Sequence, residues 1–223
     1  MKAILFDCDG VLIDSEPMGC AALAAAITAA GHDMTPEEAS AIFPGNAARD
    51  SSAWITAQGL DGPAVMAEAD RMLFAMFDRA VPLIPGIGAV LSAFDLPMAV
   101  CSNSSVARLE HSLGRTPLIG HFRGHVYSAA QVPQPKPAPD LALFAAARLG
   151  VLPQDAVFVD DNPHGITCAR AAGCLAIGFI GPADHRRGLE ARLRAAGAHH
   201  IARGSAELLA LLHHHHSPSM KAV

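Results

Sequence analysis

Two aspartates one residue apart, Asp7 and Asp9, follow directly on a short apolar run, residues 3–6. A second acidic pair, Asp160-Asp161, closes another such run, AVFVDDN at 156–162. Four carboxylates brought together would repel and push one another's pKa values upward. A hard divalent cation removes that conflict, and Mg²⁺ typically combines one or two carboxylates with substrate phosphate oxygens. Lys136, in the proline-rich stretch QVPQPKPAPD (131–140), adds a cation able to neutralise a transferring phosphoryl group or to orient a nucleophile. Ser102 and Asn103 follow a third apolar run and offer hydroxyl and backbone N–H donors to phosphate oxygens. Taken singly, each has a plainer use. Asp-rich loops make turns and caps, a single Lys is solvated, and Ser102 suits ordinary capping.

These residues need strands to present them. Apolar runs at 3–6, 97–103, 156–162 and 174–179 read as buried parallel strands, with helical patterns between most of them. Alternating strands and helices predict an α/β fold, a Rossmann-like parallel sheet with helices on both faces. Ligands in such sheets sit outside the carboxyl ends of the strands, where Asp7/Asp9, Ser102/Asn103 and Asp160/Asp161 fall. Between about 15 and 82 the pattern is helical throughout. Ser15 and Pro17 signal a helix start, and an Ala-rich helix runs to about Ala30. Thr35-Pro36-Glu37-Glu38 opens a second, and Met66 to Ala80 reads as a third, with Met66, Leu73 and Phe77 on one face. The expected organisation is a core from 1–14 and 83–212, an inserted helical cap at 15–82, and a flexible tail at 213–223.

Composition narrows the class. The 223 residues carry a formal net charge of −5 and are 51% hydrophobic, but 44 are alanine and aromatics make up only 5%. A disordered chain, a collagen and a disulfide framework are excluded. The longest apolar stretch, Met18 to Ala30, is too short to span a membrane, and the start MKAILFDCDG lacks the character of a signal peptide. Mild acidity argues against nucleic acid as a partner. Five cysteines without a CxxC pair fit reduced thiols in a cytoplasmic protein.

The segments LFDCDGVLIDSE (5–16), VCSNSS (100–105), KPAPD (136–140) and FVDDNPHGITCARAAG (158–173) together resemble the haloacid dehalogenase superfamily. The likeness is to its β-phosphoglucomutase-like and phosphoglycolate-phosphatase-like branch. That resemblance implies Asp7 as the nucleophile, forming an aspartyl-phosphate, and Asp9 as general acid/base. It implies Ser102 and Lys136 around the phosphate, beside the Asn103 N–H that its place after a strand offers, and Mg²⁺ held by Asp7, Asp9 through its carbonyl, Asp160 and Asp161. The physics agrees, since a carboxylate attacks a dianionic phosphate poorly unless cations cancel charge. Two displacements need an acid that becomes a base.

Asp9 separates reaction classes. Dehalogenases of this superfamily lack an acid two residues after the nucleophile, and phosphonate-cleaving relatives lack it too and add a cap lysine. The lysines here are Lys2, Lys136 and Lys221. The expected activity is therefore Mg²⁺-dependent hydrolysis of a small phosphorylated metabolite, a sugar or sugar-acid phosphate, by a monomer or homodimer. A phosphosugar mutase and a non-enzymatic phosphate-responsive protein are the alternatives. Relatives place substrate contacts in the cap loop that corresponds to FPGNAARD, so Gly45 and Arg49 are candidates, Arg49 for a second anionic group. Asn162 stands where the family usually has Ser or Thr. Cys8 and Cys101 read as small packing residues, Trp54 as cap core, and the Lys136-Pro137 bond as a candidate cis peptide.

Overall fold

The computed structural model describes residues 1–43, 48–182, 184, 186–216. In chain order, β1 (Ala3–Phe6) is followed by four helices, α1 (Glu16–Ala29), α2 (Pro36–Ile42), α3 (Ala48–Ala57) and α4 (Gly62–Phe77). Next come α5 (Ile87–Ser92), β2 (Met98–Ser102), α6 (Val106–His111), β3 (Val126–Ser128) and α7 (Asp140–Leu149). The chain continues through β4 (Ala156–Asp160), α8 (Pro163–Ala172), β5 (Leu175–Ile180), α9 (Leu189–Ala195), β6 (His200–Arg203) and α10 (Gly204–His216). It folds as two compact units, one from Met1–Ile13 with the chain from Leu83 onward, the other Asp14–Pro82.

The first unit is built on a six-stranded parallel sheet in the order β3-β2-β1-β4-β5-β6. Every residue of β1, β2 and β4 is buried, as strands covered on both faces require. Alternation sends Ala3, Leu5, Ala99, Cys101, Ala156 and Phe158 into one core with Leu141 and Ala145 of α7 and Ile166 and Ala169 of α8. Phe6 sits edge-on to Phe122, with ring centroids 6.3 Å apart.

Strands β3 and β6 are edge strands of three and four residues, each too short to show an apolar run, and the periodicity does not announce them. The sequence also places a flexible tail from 213. Helix α10 instead runs to His216, burying Leu208 and Leu212 and stacking His213 on Phe94 at a centroid distance of 4.8 Å. Tertiary packing carries the helix over four histidines that pattern alone does not extend.

The second unit contains helices and no strand among the described residues. Its core joins Leu23 and Ile27 of α1, Ala39 of α2, Ile55 of α3 and Val65 and Ala69 of α4, with Trp54 packed against it. Helix α2 opens with a capping box, in which Thr35 Oγ1 accepts Glu38 N–H at 3.2 Å and Glu38 accepts Thr35 N–H at 2.8 Å. Ser15 occupies the cap position of α1 without a capping hydrogen bond, because its ψ of −14° is already helical. Helix α4 starts four residues before the expected Met66, where Asp61 caps Ala64 N–H at 3.1 Å. Leu73 and Phe77 are buried, and Met66 is partly so. Helix α3, ARDSSAWITA, has Trp54 and Ile55 as its large apolar residues, too few to mark it as a helix from the sequence. Among the described residues, no helix is long and apolar enough to cross a membrane.

Candidate active site

The register of β1 on β4 pairs Ala3 with Ala156 through Phe6 with Val159, which sets Asp7 beside Asp160 at the next step. Asp7 N–H donates to Val159 O at 2.9 Å and continues the ladder by one rung. By alternation the two carboxylates share the face of Leu5 and Phe158. Lys136 reaches that face from the proline-rich loop. Its Nζ lies 2.7 Å from Asp160 Oδ2, 2.9 Å from Asp7 Oδ1 and 5.7 Å from the centre of the Phe158 ring. The Lys136-Pro137 bond is cis. Asn103 holds the Lys136 backbone at both ends: its Nδ2 donates to Lys136 O and its Oδ1 accepts Lys136 N–H, each at 3.0 Å. The Asn103 side chain is thereby committed to the loop, leaving its backbone N–H as the group able to serve a phosphate.

Asp160 is fully buried, its Oδ1 accepting Asn162 N–H at 2.8 Å. Gly165, on the first turns of α8, lies against that carboxylate so closely that a Cβ would overlap it. Gly10 does the same for Asp161 with φ +80°, a conformation that favours glycine. Arg186 donates to Asp161 Oδ2 at 2.6 Å and also pairs with Asp184. One oxygen each from Asp7, Asp160 and Asp161, all buried, lie within 4.8 Å of one another.

Burial is the main force pushing the Asp7 carboxyl up from 3.8 to about 7, with Asp160 and Asp9 adding repulsion and Lys136 opposing it. Asp160 is raised for the same first reason. Burial alone would lower the Lys136 ammonium, but Asp160 and Asp7 outweigh it and hold its pKa above the usual lysine range. Lys136 therefore stays charged. Asp7 Oδ1 is buried, with the Lys136 ammonium 2.9 Å away. Three converging buried carboxylate oxygens match the donor set that a hard divalent cation takes.

Asp9 is placed differently. Its Oδ2 accepts from Ser104 Oγ at 2.7 Å and its Oδ1 from Arg108 Nη2 at 3.3 Å. Its side chain is not among the three carboxylates that converge. Ser102 is buried at the end of β2, where its Oγ accepts Ser104 N–H at 3.1 Å and keeps its own hydrogen to donate. Arg49 belongs to the helical unit, with its side chain 90% exposed and 3.4 Å from Asp50. Gly45 lies outside the described residues. All five cysteines are free and buried, and burial pushes the Cys8 and Cys101 thiols well up, so neither is a nucleophile at neutral pH.

A family model for haloacid dehalogenase-like hydrolases matches residues 1–173. The chain belongs to this family. It is 31% identical over 179 residues to a 6-phosphogluconate phosphatase of Escherichia coli, covering 78% of this chain and 80% of that one. It is 34% identical over 193 residues to hexitol phosphatase A of the same organism, covering 83% and 86%. Among solved structures, a HAD family hydrolase from Deinococcus radiodurans with bound phosphate and sodium superposes with a TM-score of 0.80 at 29% identity, covering 96% of each chain.

Of the residues singled out in the sequence, the family fold brings together Asp7, Asp9, Ser102, Asn103, Lys136, Asp160 and Asp161. Ser104, Arg108, Gly165 and Arg186 also belong to this site and were not singled out. Ser104 stands within VCSNSS, two residues from Ser102, and that proximity was the available signal. Arg186 follows Asp161 by 25 residues with no local pattern to tie them.

Proposed function

We propose that this hydrolase is a Mg²⁺-dependent phosphatase of a small phosphorylated metabolite, a sugar or sugar-acid phosphate, acting through an aspartyl-phosphate on Asp7. The observation that carries the reading is the buried group of Asp7, Asp160 and Asp161 with Lys136 charged among them. The named phosphatase relatives support the substrate class. The buried free thiols suit a reducing, cytoplasmic setting.

Asp7, Asp160 and Asp161, with the Asp9 carbonyl, would hold the cation. When bound it supplies charge neutralisation between the attacking carboxylate and the phosphate oxygens. Asp7 attacks phosphorus as its carboxylate. Its raised pKa explains why a neutralising partner is needed, since burial otherwise favours the proton. Lys136 holds Asp7 in place and faces the phosphate with a fixed positive charge. The Ser102 hydroxyl and the Asn103 N–H donate to the phosphate oxygens. Asp9 gives a proton to the departing alkoxide, then takes one from the water that cleaves the phosphoenzyme.

The test follows inorganic phosphate release from a panel of sugar, sugar-acid and nucleotide monophosphates with Mg²⁺, using Asp7→Asn as the blank. Release that disappears in the variant and on chelation is the expected result. No release above the blank from any member overturns the hydrolase reading.

A further inference from the structure

Asp9 is held from two directions by residues that nothing above assigns a role. Ser104 Oγ donates to one carboxylate oxygen and Arg108 Nη2 to the other, from positions 95 and 99 residues along the chain. Each partner is itself anchored. The Ser104 N–H donates to Ser102 Oγ at 3.1 Å, and its carbonyl accepts from Ser128 Oγ at 2.7 Å, which ties it to the ends of both β2 and β3. Arg108 sits on α6, where its N–H donates to the cap hydroxyl of Ser105 at 3.2 Å and its carbonyl accepts from Ser112 Oγ at 2.7 Å. The loop under Asp9 is closed by Gly10 N–H donating to Ile13 O at 2.8 Å. The Asp9 side chain is nonetheless 27% exposed, as a group that must meet a ligand requires.

The two partners differ chemically. A serine hydroxyl both donates and accepts, so Ser104 can stay bonded to Asp9 whether the carboxyl is ionised or protonated. A guanidinium only donates, so Arg108 orients the oxygen it meets while Ser104 orients the other. We infer that Ser104 and Arg108 are positioning residues for Asp9, aiming its carboxyl during departure of the leaving group. The inference rests on the phosphatase reading, with Asp9 as acid and base.

The experiment uses leaving-group dependence. Wild type, Ser104→Ala, Arg108→Met, Arg108→Lys and, as reference, Asp9→Asn are mixed rapidly with a hexitol monophosphate or with p-nitrophenyl phosphate. First-turnover release of the alcohol or phenol is followed. Restricting the measurement to the first turnover isolates the step in which Asp9 is the acid. A sugar alkoxide needs that proton, whereas nitrophenolate leaves without it. Ser104→Ala and Arg108→Met are expected to slow alcohol release by about tenfold or more, with KM within about threefold of wild type. Nitrophenol release is expected to stay within about threefold, with Arg108→Lys between Arg108→Met and wild type on the alcohol. Equal losses on both substrates, no loss on either, or a rise in KM alone would overturn the positioning role. If Asp9→Asn itself shows no leaving-group dependence, the acid role falls and the positioning inference with it. A wild type inactive on both substrates and on the wider panel overturns the phosphatase reading.

Discussion

Replacing Gly165 by alanine is a one-carbon change aimed at one carboxylate. A Cβ there would overlap the Asp160 carboxylate, which is fully buried. Either α8 shifts outward or Asp160 turns away. Turning away would break the bond from Lys136 Nζ at 2.7 Å and the bond from Asn162 N–H at 2.8 Å. Hydrogen bonds to charged groups are each worth about 1.5–3 kcal/mol, and breaking a buried ion pair costs about 3–5 kcal/mol. Shifting α8 instead incurs overpacking strain of about 1–3 kcal/mol. The helix shift sets the lower bound, so Gly165→Ala is expected to lose between about 1 and 5 kcal/mol. A chain of this length loses about 2–4 °C of Tm per kcal/mol, hence about 2–20 °C. The control is Gly120→Ala, since nothing lies within 4 Å of a Cβ at Gly120. The assay is thermal unfolding of both variants beside wild type, with phosphate release measured on the same samples. Gly165→Ala should fall well below the control in Tm and lose most of its activity even where folded. A Gly165→Ala protein as stable and as active as Gly120→Ala would refute the claim that this glycine exists to admit the Asp160 carboxylate.

Other consequences concern charge. Asp7 is raised from 3.8 to about 7, so between those values the folded state holds a proton that the unfolded chain has released. The cation-free protein should therefore lose stability as pH rises from about 4 to about 7, by at most about 4 kcal/mol from this group, and urea unfolding across that range measures it. Asp7→Asn removes the titrating group, so its stability should vary less with pH in the same window while turnover is abolished; a variant with the full wild-type pH dependence would disprove the assignment. Mg²⁺ competes with protons for the three carboxylates, so the Tm gain on adding it should be larger at pH 7.5 than at pH 5.5, and an equal or reversed gain would contradict the burial argument. Burial holds the Cys168 and Cys174 thiols up at about 11 and about 12, and all five thiols should react with a disulfide reagent only after denaturant is added.

Sequence alone determined the parts of this protein whose signals are local. The β1, β2, β4 and β5 runs were legible because a strand buried on both faces must be apolar throughout. The acids were legible because they stand where those runs stop, and Lys136 because KPAPD completes the set of segments that resembles the family. Tertiary structure decided the rest. Strands β3 and β6 acquire strand geometry by pairing at the sheet edges, and α10 continues over His213–His216 by packing on Phe94. Asn103 reads as a phosphate ligand from its place after β2, yet its amide folds onto the Lys136 backbone 33 residues away. Ser104 and Arg108 close on Asp9, and Arg186 on Asp161, across separations that no periodicity spans. A hydrophobic repeat reports which face of an element is buried. Which charged side chain meets which carboxylate depends on the order and register of strands from distant parts of the chain, and that is set only when the sheet assembles.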